Sequence, residues 1–224
     1  MENKILDISN DKKQEIMEWL AETTNEYKKL MTYYECAMME IETKFKVLSK
    51  EYSLLKDRVP INSMKCRLKT PESIVKKLDK YGLELSIDNI QNNISDIAGI
   101  RVICSFVGDV YSLAESLMKQ DDINILEIKD YIKNPKANGY RSLHLIVEIP
   151  IFLEKVKKLM KVEIQLRTIA MDFWASLEHQ LRYKKDFLFT EEMVKELYEC
   201  AEMSAKLDYK MDNLKKELND NINQ

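Results

Sequence analysis

Between Asp11 and Lys56 the chain contains neither glycine nor proline, and Tyr27, Leu30, Tyr34, Met38, Ile41, Phe45, Leu48, Tyr52 and Leu55 recur at spacings of three and four. This pattern draws one apolar stripe along a long helix or a helix pair. The stripe either packs on the body of the domain or meets another subunit. Asp57 to Pro60 ends the element. The period then drops to two: Met64, Cys66 and Leu68 alternate with Lys65, Arg67 and Lys69, which predicts a strand with a basic face. Thr70 is placed to cap a helix with Pro71 at its first position and Glu72 in its first turn, and Tyr81-Gly82 ends it.

Further on, Ile100, Val102, Cys104 and Phe106 form the apolar face of a buried strand, with Arg101 opposite and Asp96 just before it. Gly108-Asp109 turns the chain into a helix that runs to about Lys119. A strand is expected from Ile123 to Tyr131, a loop over Lys133–Gly139, and a second strand from Tyr140 through Glu148.

The most informative stretch is Lys161–Leu181. Val162, Ile164 and Leu166 point one way, while Glu163, Gln165 and Arg167 point the other. Three long polar side chains on one strand face are costly unless something polar lies on them. The alternative is an edge strand with one solvated face. Thr168 offers an N-cap to a helix whose Ile169, Phe173, Ser176, Leu177 and Leu181 share helical spacing, with Asp172, Trp174, Glu178 and His179 near the polar strand face. Near the end, Met193, Leu197, Cys200, Ser204, Leu207, Met211, Leu214 and Leu218 mark an amphipathic helix suited to packing on the amino-terminal helices or on another subunit.

Composition sharpens this picture in three ways. All four glycines, Gly82, Gly99, Gly108 and Gly139, fall mid-chain, so helical flanks surround a turn-rich α/β centre. The expected units are a helical segment over 1–60, an α/β core over 61–187 and a terminal helix over 188–224. Lys and Arg number 35 against 38 Asp and Glu, a net charge of −3, which argues against a globally basic nucleic-acid binder while leaving room for a local basic cleft. Four cysteines without a CxxC and two histidines do not make a structural zinc site, and reduced thiols are expected. No apolar run reaches membrane-spanning length and the start, MENKILDISNDKK, has no signal-peptide core, so a cytoplasmic location is expected.

Candidate chemistry sits where strands meet helices. Lys65, Arg67 and Lys69 lead into the helix that begins at Pro71 and carries Ser73 and Lys77, a corner suited to phosphate or simply a solvated basic edge. Asp96, at the mouth of a strand, suits a Mg²⁺ ligand or a turn. Tyr140, beside a basic loop, can stack on a base or pack at a strand start.

Four segments in order, RLKTPESIVKK (67–77), DIAGIR (96–101), KANGYRSLH (136–144) and EIQLRTIAMDFWASLEH (163–179), resemble the small alarmone synthetases, the single-domain RelA/SpoT-type GTP pyrophosphokinases. The resemblance covers roughly Asn62 to Lys185. It implies an α+β fold with a central mixed sheet of the nucleotidyltransferase-like type, flanked by helices and carrying long N- and C-terminal helices. It also implies transfer of the β,γ-pyrophosphate of ATP to the 3′-hydroxyl of GDP or GTP, with Mg²⁺.

By the same resemblance Asp96 binds the metal, and Glu163 either shares it or takes the 3′-hydroxyl proton. Arg67 and Arg101 embrace the adenine; Lys69, Ser73 and Lys77 serve the donor phosphates. The acceptor side takes Lys129, Lys136, Tyr140, His144, Gln165, Arg167, Asp172 and Glu178. Asp172 stands where some relatives carry Asn, and Lys129 where a relative carries Arg. The only histidines, His144 and His179, fall inside synthetase segments, so synthesis without hydrolysis is expected. A homo-oligomer, a tetramer as in relatives, and allosteric control by the alarmone product are further implications. The competing readings are a guanine-nucleotide- or RNA-binding regulator on the same scaffold, and a nucleotidyltransferase that releases pyrophosphate rather than AMP.

Overall fold

Five strands form one mixed sheet in the order β1-β2-β5-β4-β3 in the computed structural model, which describes residues 10–56, 58–183 and 190–222. The strands are β1 (Ile61–Leu68), β2 (Ala98–Cys104), β3 (Asn124–Asp130), β4 (Leu143–Phe152) and β5 (Lys157–Thr168). Only the β2–β5 pair is parallel; β1–β2, β5–β4 and β4–β3 are antiparallel. Helices α1 (Asn10–Glu22), α2 (Thr24–Lys56), α3 (Pro71–Tyr81), α4 (Ile87–Asn93), α5 (Val107–Met118), α6 (Ile169–Tyr183) and α7 (Glu191–Ile222) complete the α+β fold. No helix among the described residues is long and apolar enough to cross a membrane.

The alternation along the strands decides which face is covered. Ile100, Val102 and Cys104 of β2, Val162, Ile164 and Leu166 of β5, and Leu143, Leu145 and Val147 of β4 are buried in one core with α2 and α5. From α2, Leu30, Tyr34, Ala37, Met38, Ile41, Phe45 and Leu48 enter that core, so its stripe packs on the domain body. Leu55, at the end of the stripe, is 71% exposed. The stretch from 11 to 56 is a helix pair, broken at Thr23. The unit boundary expected between 187 and 188, the end of the resemblance at Lys185 and the turn residue Asp57 lie outside the described residues.

Three differences from the expected form stand out. Helix α5 begins at Val107 with Phe106 at its N-cap, so Phe106 leaves the strand and Gly108 lies inside the first turn. Strand β4 is expected to run through Glu148 but continues through Pro150 to Phe152 and pairs with β5 from Lys157 onward. The reason is positional. The Leu153 N–H donates to the Val156 carbonyl, which turns the amides of odd-numbered residues toward β5 and the nitrogen of Pro150 toward the other side. There the pairing with β3 has already stopped at Glu148, so no ladder bond is lost.

The third difference concerns the late helices. On α6 the stripe of shared helical spacing points out, with Phe173 66% exposed and Ile169, Leu177 and Leu181 also exposed, while Met171, Trp174 and Ala175 are buried. On α7, Leu207, Met211, Leu214 and Leu218 are likewise exposed, and the docked face is Ala201 and Asp208. Among the described residues that helix packs mainly on α6 and α5.

Candidate active site

The uncovered sheet face is where the polar half of each alternation collects. Strand register sets out two rows across it. One runs Lys65–Arg101–Gln165–His144–Lys129, and the next runs Arg67–Gly99–Glu163–Ile146–Glu127. Successive side chains on a strand alternate faces, so Arg67, Arg101, Glu163, Gln165, Arg167 and His144 share this side. Helix α6 borders it. The result is a cavity of about 680 Å³ lined by Arg67, Asp96, Arg101, Tyr140, Glu163, Gln165, Arg167, Glu178 and His179.

Local structure explains how each part arrives. The Thr70 hydroxyl accepts from the Ser73 N–H at 3.3 Å, Pro71 opens α3, and Gly82 closes it in the left-handed region at φ 68°. This start of α3 aims Lys77 back at the sheet. There Lys69 Nζ donates to Asp96 Oδ2 at 2.6 Å, and Lys77 Nζ lies 2.8 Å from Asp96 Oδ1. At the other end, the Thr168 hydroxyl accepts from the Met171 N–H at 3.1 Å, which turns β5 into α6.

Around Glu163 the polar groups form a connected chain. Arg167 Nη2 donates to the Tyr140 hydroxyl (2.7 Å), which lies 2.9 Å from His144 Nε2, and His144 Nδ1 lies 3.4 Å from Glu163 Oε1. Gln165 closes a second path: its amide donates to Glu163 Oε2 at 2.9 Å and its oxygen accepts from Arg167 at 3.2 Å. Arg167 also donates to Asp172 Oδ1 at 3.0 Å, and Arg101 approaches that oxygen at 3.4 Å. Asp172 therefore gathers two guanidinium groups. Buried Arg167, 4% exposed, is the hub.

The loop over 131–142 stands at the rim. Lys136 Nζ lies 4.6 Å from the Tyr131 ring centre and 4.9 Å from that of Tyr140. Asn138 donates to Glu178 Oε1 at 3.3 Å. Lys129 pairs with Glu127 at 2.8 Å and is the more outlying of the expected acceptor cations.

With this geometry in place, likeness to other proteins becomes informative. The sequence model of the region found in RelA / SpoT proteins matches residues 66–187. GTP pyrophosphokinase YwaC of Bacillus subtilis is 44% identical over 202 residues, 90% of this chain and 96% of that one. GTP pyrophosphokinase YjbM of the same organism is 34% identical over 194 residues, 86% of this chain and 90% of that one. Among solved structures, small alarmone synthetase 2 from Bacillus subtilis superposes with a TM-score of 0.78 at 44% identity, covering 86% of this chain and 100% of that chain. Small alarmone synthetase 1 from Bacillus subtilis, bound to its product pppGpp, has a TM-score of 0.77 at 33% identity, covering 86% of this chain and 97% of that chain.

The chain belongs to the RelA/SpoT family.

In this RelA/SpoT-family chain the electrostatics of the cavity follow from burial opposed by pairing. Burial pushes the Asp96 carboxyl up, but hydrogen bonds from Lys69 and Lys77 outweigh it, and the group sits below its ordinary value. Glu163 repeats the pattern: burial raises it, the hydrogen bond and electrostatic pull of His144 and the Gln165 amide lower it further, and the Asp96 charge raises it. The net shift is downward. Both carboxylates line the same cavity. Arg101 is lowered by burial first and by the neighbouring Arg167 second.

The structure gathers Arg67, Arg101, Asp96, Glu163, Gln165, Arg167, Tyr140 and Glu178 in one lining, with Lys69, Lys77, Asp172, His144 and Lys136 one contact behind. Ser73 takes part in the α3 cap, and Lys129 stays on the edge strand. Two residues escaped the sequence reading of this RelA/SpoT-family site. Tyr131 forms edge contacts with Tyr140 and His144, and Asn138 ties the loop to α6. The signal for Tyr131 was an aromatic at either end of a basic loop.

Proposed function

We propose that this chain is a GTP pyrophosphokinase that transfers the β,γ-pyrophosphate of ATP to the 3′-hydroxyl of GDP or GTP, yielding AMP and ppGpp or pppGpp, with no alarmone hydrolase activity. The observation that carries this reading is the pairing of two ionised carboxylates, Asp96 and Glu163, within one cavity walled by arginines and lysines. Two polyphosphates brought together need cations, and a pure nucleotide binder has little use for two acids beside phosphate.

The residues divide by side. Arg67, Lys69, Ser73, Lys77 and Arg101 take ATP: the guanidinium groups stack on adenine, and the two lysines pass from Asp96 to the donor phosphates. Lys129, Lys136, Tyr140, His144, Gln165, Arg167, Asp172 and Glu178 take the acceptor, with the Tyr140 ring beside the guanine. Asp172 holds Arg101 and Arg167 in place through one oxygen and retains lone pairs that suit the guanine N1–H and amine.

The donor set fits Mg²⁺, which takes one or two protein carboxylates and fills its remaining positions with water and phosphate oxygens. Asp96 and Glu163 would hold it; when bound, it neutralises charge on the phosphates. In the transfer a bond forms from the acceptor 3′-oxygen to the β-phosphorus, and the bond from that phosphorus to the α-phosphate oxygen breaks. The hydroxyl proton leaves toward Glu163 or water. Arg167, Lys69 and Lys77 hold the charge spread over the phosphoryl oxygens.

The test is nucleotide chromatography with ATP and each guanine nucleotide in turn. AMP forms only when GDP or GTP is present, together with a 3′-pyrophosphorylated product. Release of pyrophosphate in place of AMP would indicate a nucleotidyltransferase, and binding without turnover a regulator.

The exposed apolar stripes of α6 and α7 support assembly into a homo-oligomer, a tetramer. Light scattering is expected to give a multiple of the 26.5 kDa chain mass, and the mass of a single chain at micromolar concentration would sink this assignment.

A further inference from the structure

The loop that carries Lys136 and Tyr140 is seated on α7. Gly139 is buried with φ 85°, and a Cβ added there would come within 2.5 Å of Ala201 Cβ and 3.4 Å of Tyr198 Cδ2. No side chain larger than hydrogen fits between loop and helix. Two residues on, Arg141 Nη2 donates to Glu202 Oε1 at 3.2 Å. Between them, Tyr140 packs against Trp174, Ala175 and Ala201, and Trp174 Nε1 donates to the Leu197 carbonyl at 2.9 Å. The loop is stiff within itself. The Gly139 N–H donates to the Lys136 carbonyl at 2.8 Å, and the Lys136 N–H to the Tyr140 carbonyl at 3.1 Å, so a shift of Gly139 carries both functional residues with it.

The same helix face continues along the site. Ser204 Oγ donates to the Ala170 carbonyl at 2.9 Å, and buried Asp208 accepts from Thr168 Oγ1 at 2.7 Å, directly after Arg167 in the chain. Burial pushes the Asp208 carboxyl up to about 6, against the Thr168 hydrogen bond. The docked face of α7 is thus made of small and hydrogen-bonding side chains, while its apolar stripe points away. The close approach of Gly139 to Ala201, the Arg141–Glu202 bond and the packing of Tyr140 on Trp174, Ala175 and Ala201 together set where the loop stands.

We infer that the Leu197–Asp208 face of α7 is a positioning clamp for the acceptor side of the cavity, in which Ala201 and Glu202 set the height of the Gly139–Arg141 turn and hence the placement of Tyr140 and Lys136. The inference rests on the acceptor role given to those two residues above. Ala201 and Glu202 do not line the cavity; they act through the turn. The donor lysines and Asp96 belong to α3, β2 and their connections, which the clamp does not touch, so its loss falls on the acceptor alone.

Ala201→Leu inserts bulk where the helix meets Gly139, and Glu202→Ala removes the anchor of Arg141. Steady-state kinetics of the full chain are then measured with ATP and GDP varied separately. The KM for GDP rises about tenfold in Ala201→Leu, while that for ATP stays within about twofold. Ala201→Ser, close in size to the native residue, restores both values. Glu199→Ala, one turn away on an exposed side chain, leaves both unchanged.

A common rise in both KM values, or lower stability with their ratio unchanged, makes α7 a structural support only and overturns the clamp. Should Ala201→Leu fail to fold, amide hydrogen exchange in Glu202→Ala decides. Faster exchange over 136–141 at an unaltered melting temperature supports the clamp, and unaltered exchange overturns it. Wild-type protein that forms no AMP overturns the acceptor assignment and the clamp together. Wild-type activity with unsplit KM values overturns the clamp alone.

Discussion

Replacing Asp96 by Asn, or Glu163 by Gln, is expected to lower AMP formation by about a thousandfold or more while the chain stays folded. Both carboxylates lie below their ordinary values in the folded protein. A carboxyl with a depressed folded value stabilises the fold above its unfolded value and loses that contribution as pH falls through the folded one. At neutral pH both are therefore ionised, and each amide substitution removes a full negative charge from the cavity. In Asp96→Asn the ammonium groups of Lys69 and Lys77 lose the anion they share, but relief of a half-buried carboxylate offsets part of that loss, so the fold survives.

The two variants also separate the roles of Glu163. Glu163 as a metal ligand predicts that Glu163→Gln weakens Mg²⁺-dependent ATP binding as Asp96→Asn does. As a proton acceptor, Glu163→Gln leaves that binding intact and removes turnover alone. Calorimetric titration of ATP with and without Mg²⁺ reads the difference. Full turnover in both variants would falsify the catalytic assignment.

Asp109→Asn is expected to lower the unfolding free energy by about 3 kcal/mol, read by chemical denaturation. Asp109, in the first turn of α5, has a side chain only 2% exposed. It accepts from both Arg58 nitrogens, Nη1 at 2.6 Å among them, and from Lys215 Nζ at 3.3 Å. Both cations also lie over the Phe106 ring, which fills the gap beneath them. One carboxylate thus ties together the segment before β1, the start of α5 and the far half of α7. Removing its charge leaves two cations against a buried surface without an anion, and an acid in the first helical turn also favours the helix dipole. The partners keep some solvent access, which holds the effect at the lower end for buried pairs. A change below about 1 kcal/mol would show that α7 is held by other contacts.

How much of this was legible in the chain depends on whether the cause was local. The Thr70 cap, Pro71 start and Gly82 stop of α3 were readable because each acts within one turn. The polar face Glu163–Gln165–Arg167 was readable because a strand alternates by geometry, whatever it packs against. The docked faces of α6 and α7 were not readable. Their apolar stripes satisfy the helical period, yet Phe173 and Leu207 lie outside while Ala201 and Asp208 lie inside, since a helix packs by whichever face fits its neighbour. The extension of β4 past Glu148 was hidden for the same reason: the cost of Pro150 depends on whether a strand lies on that side, and the end of β3 settles the matter.

Local patterning by itself determined most of the elements, the helical flanks around an α/β centre and the residue types of the site, because caps, turns and strand alternation are properties of neighbouring residues. The α+β class came with the family resemblance. Tertiary structure alone decided which polar residues became partners. Asp96 between Lys69 and Lys77, Arg167 against Tyr140, and Gly139 against Ala201 are all meetings of distant segments. Strand order and helix docking bring those segments together, and neither is written in any short stretch of the chain.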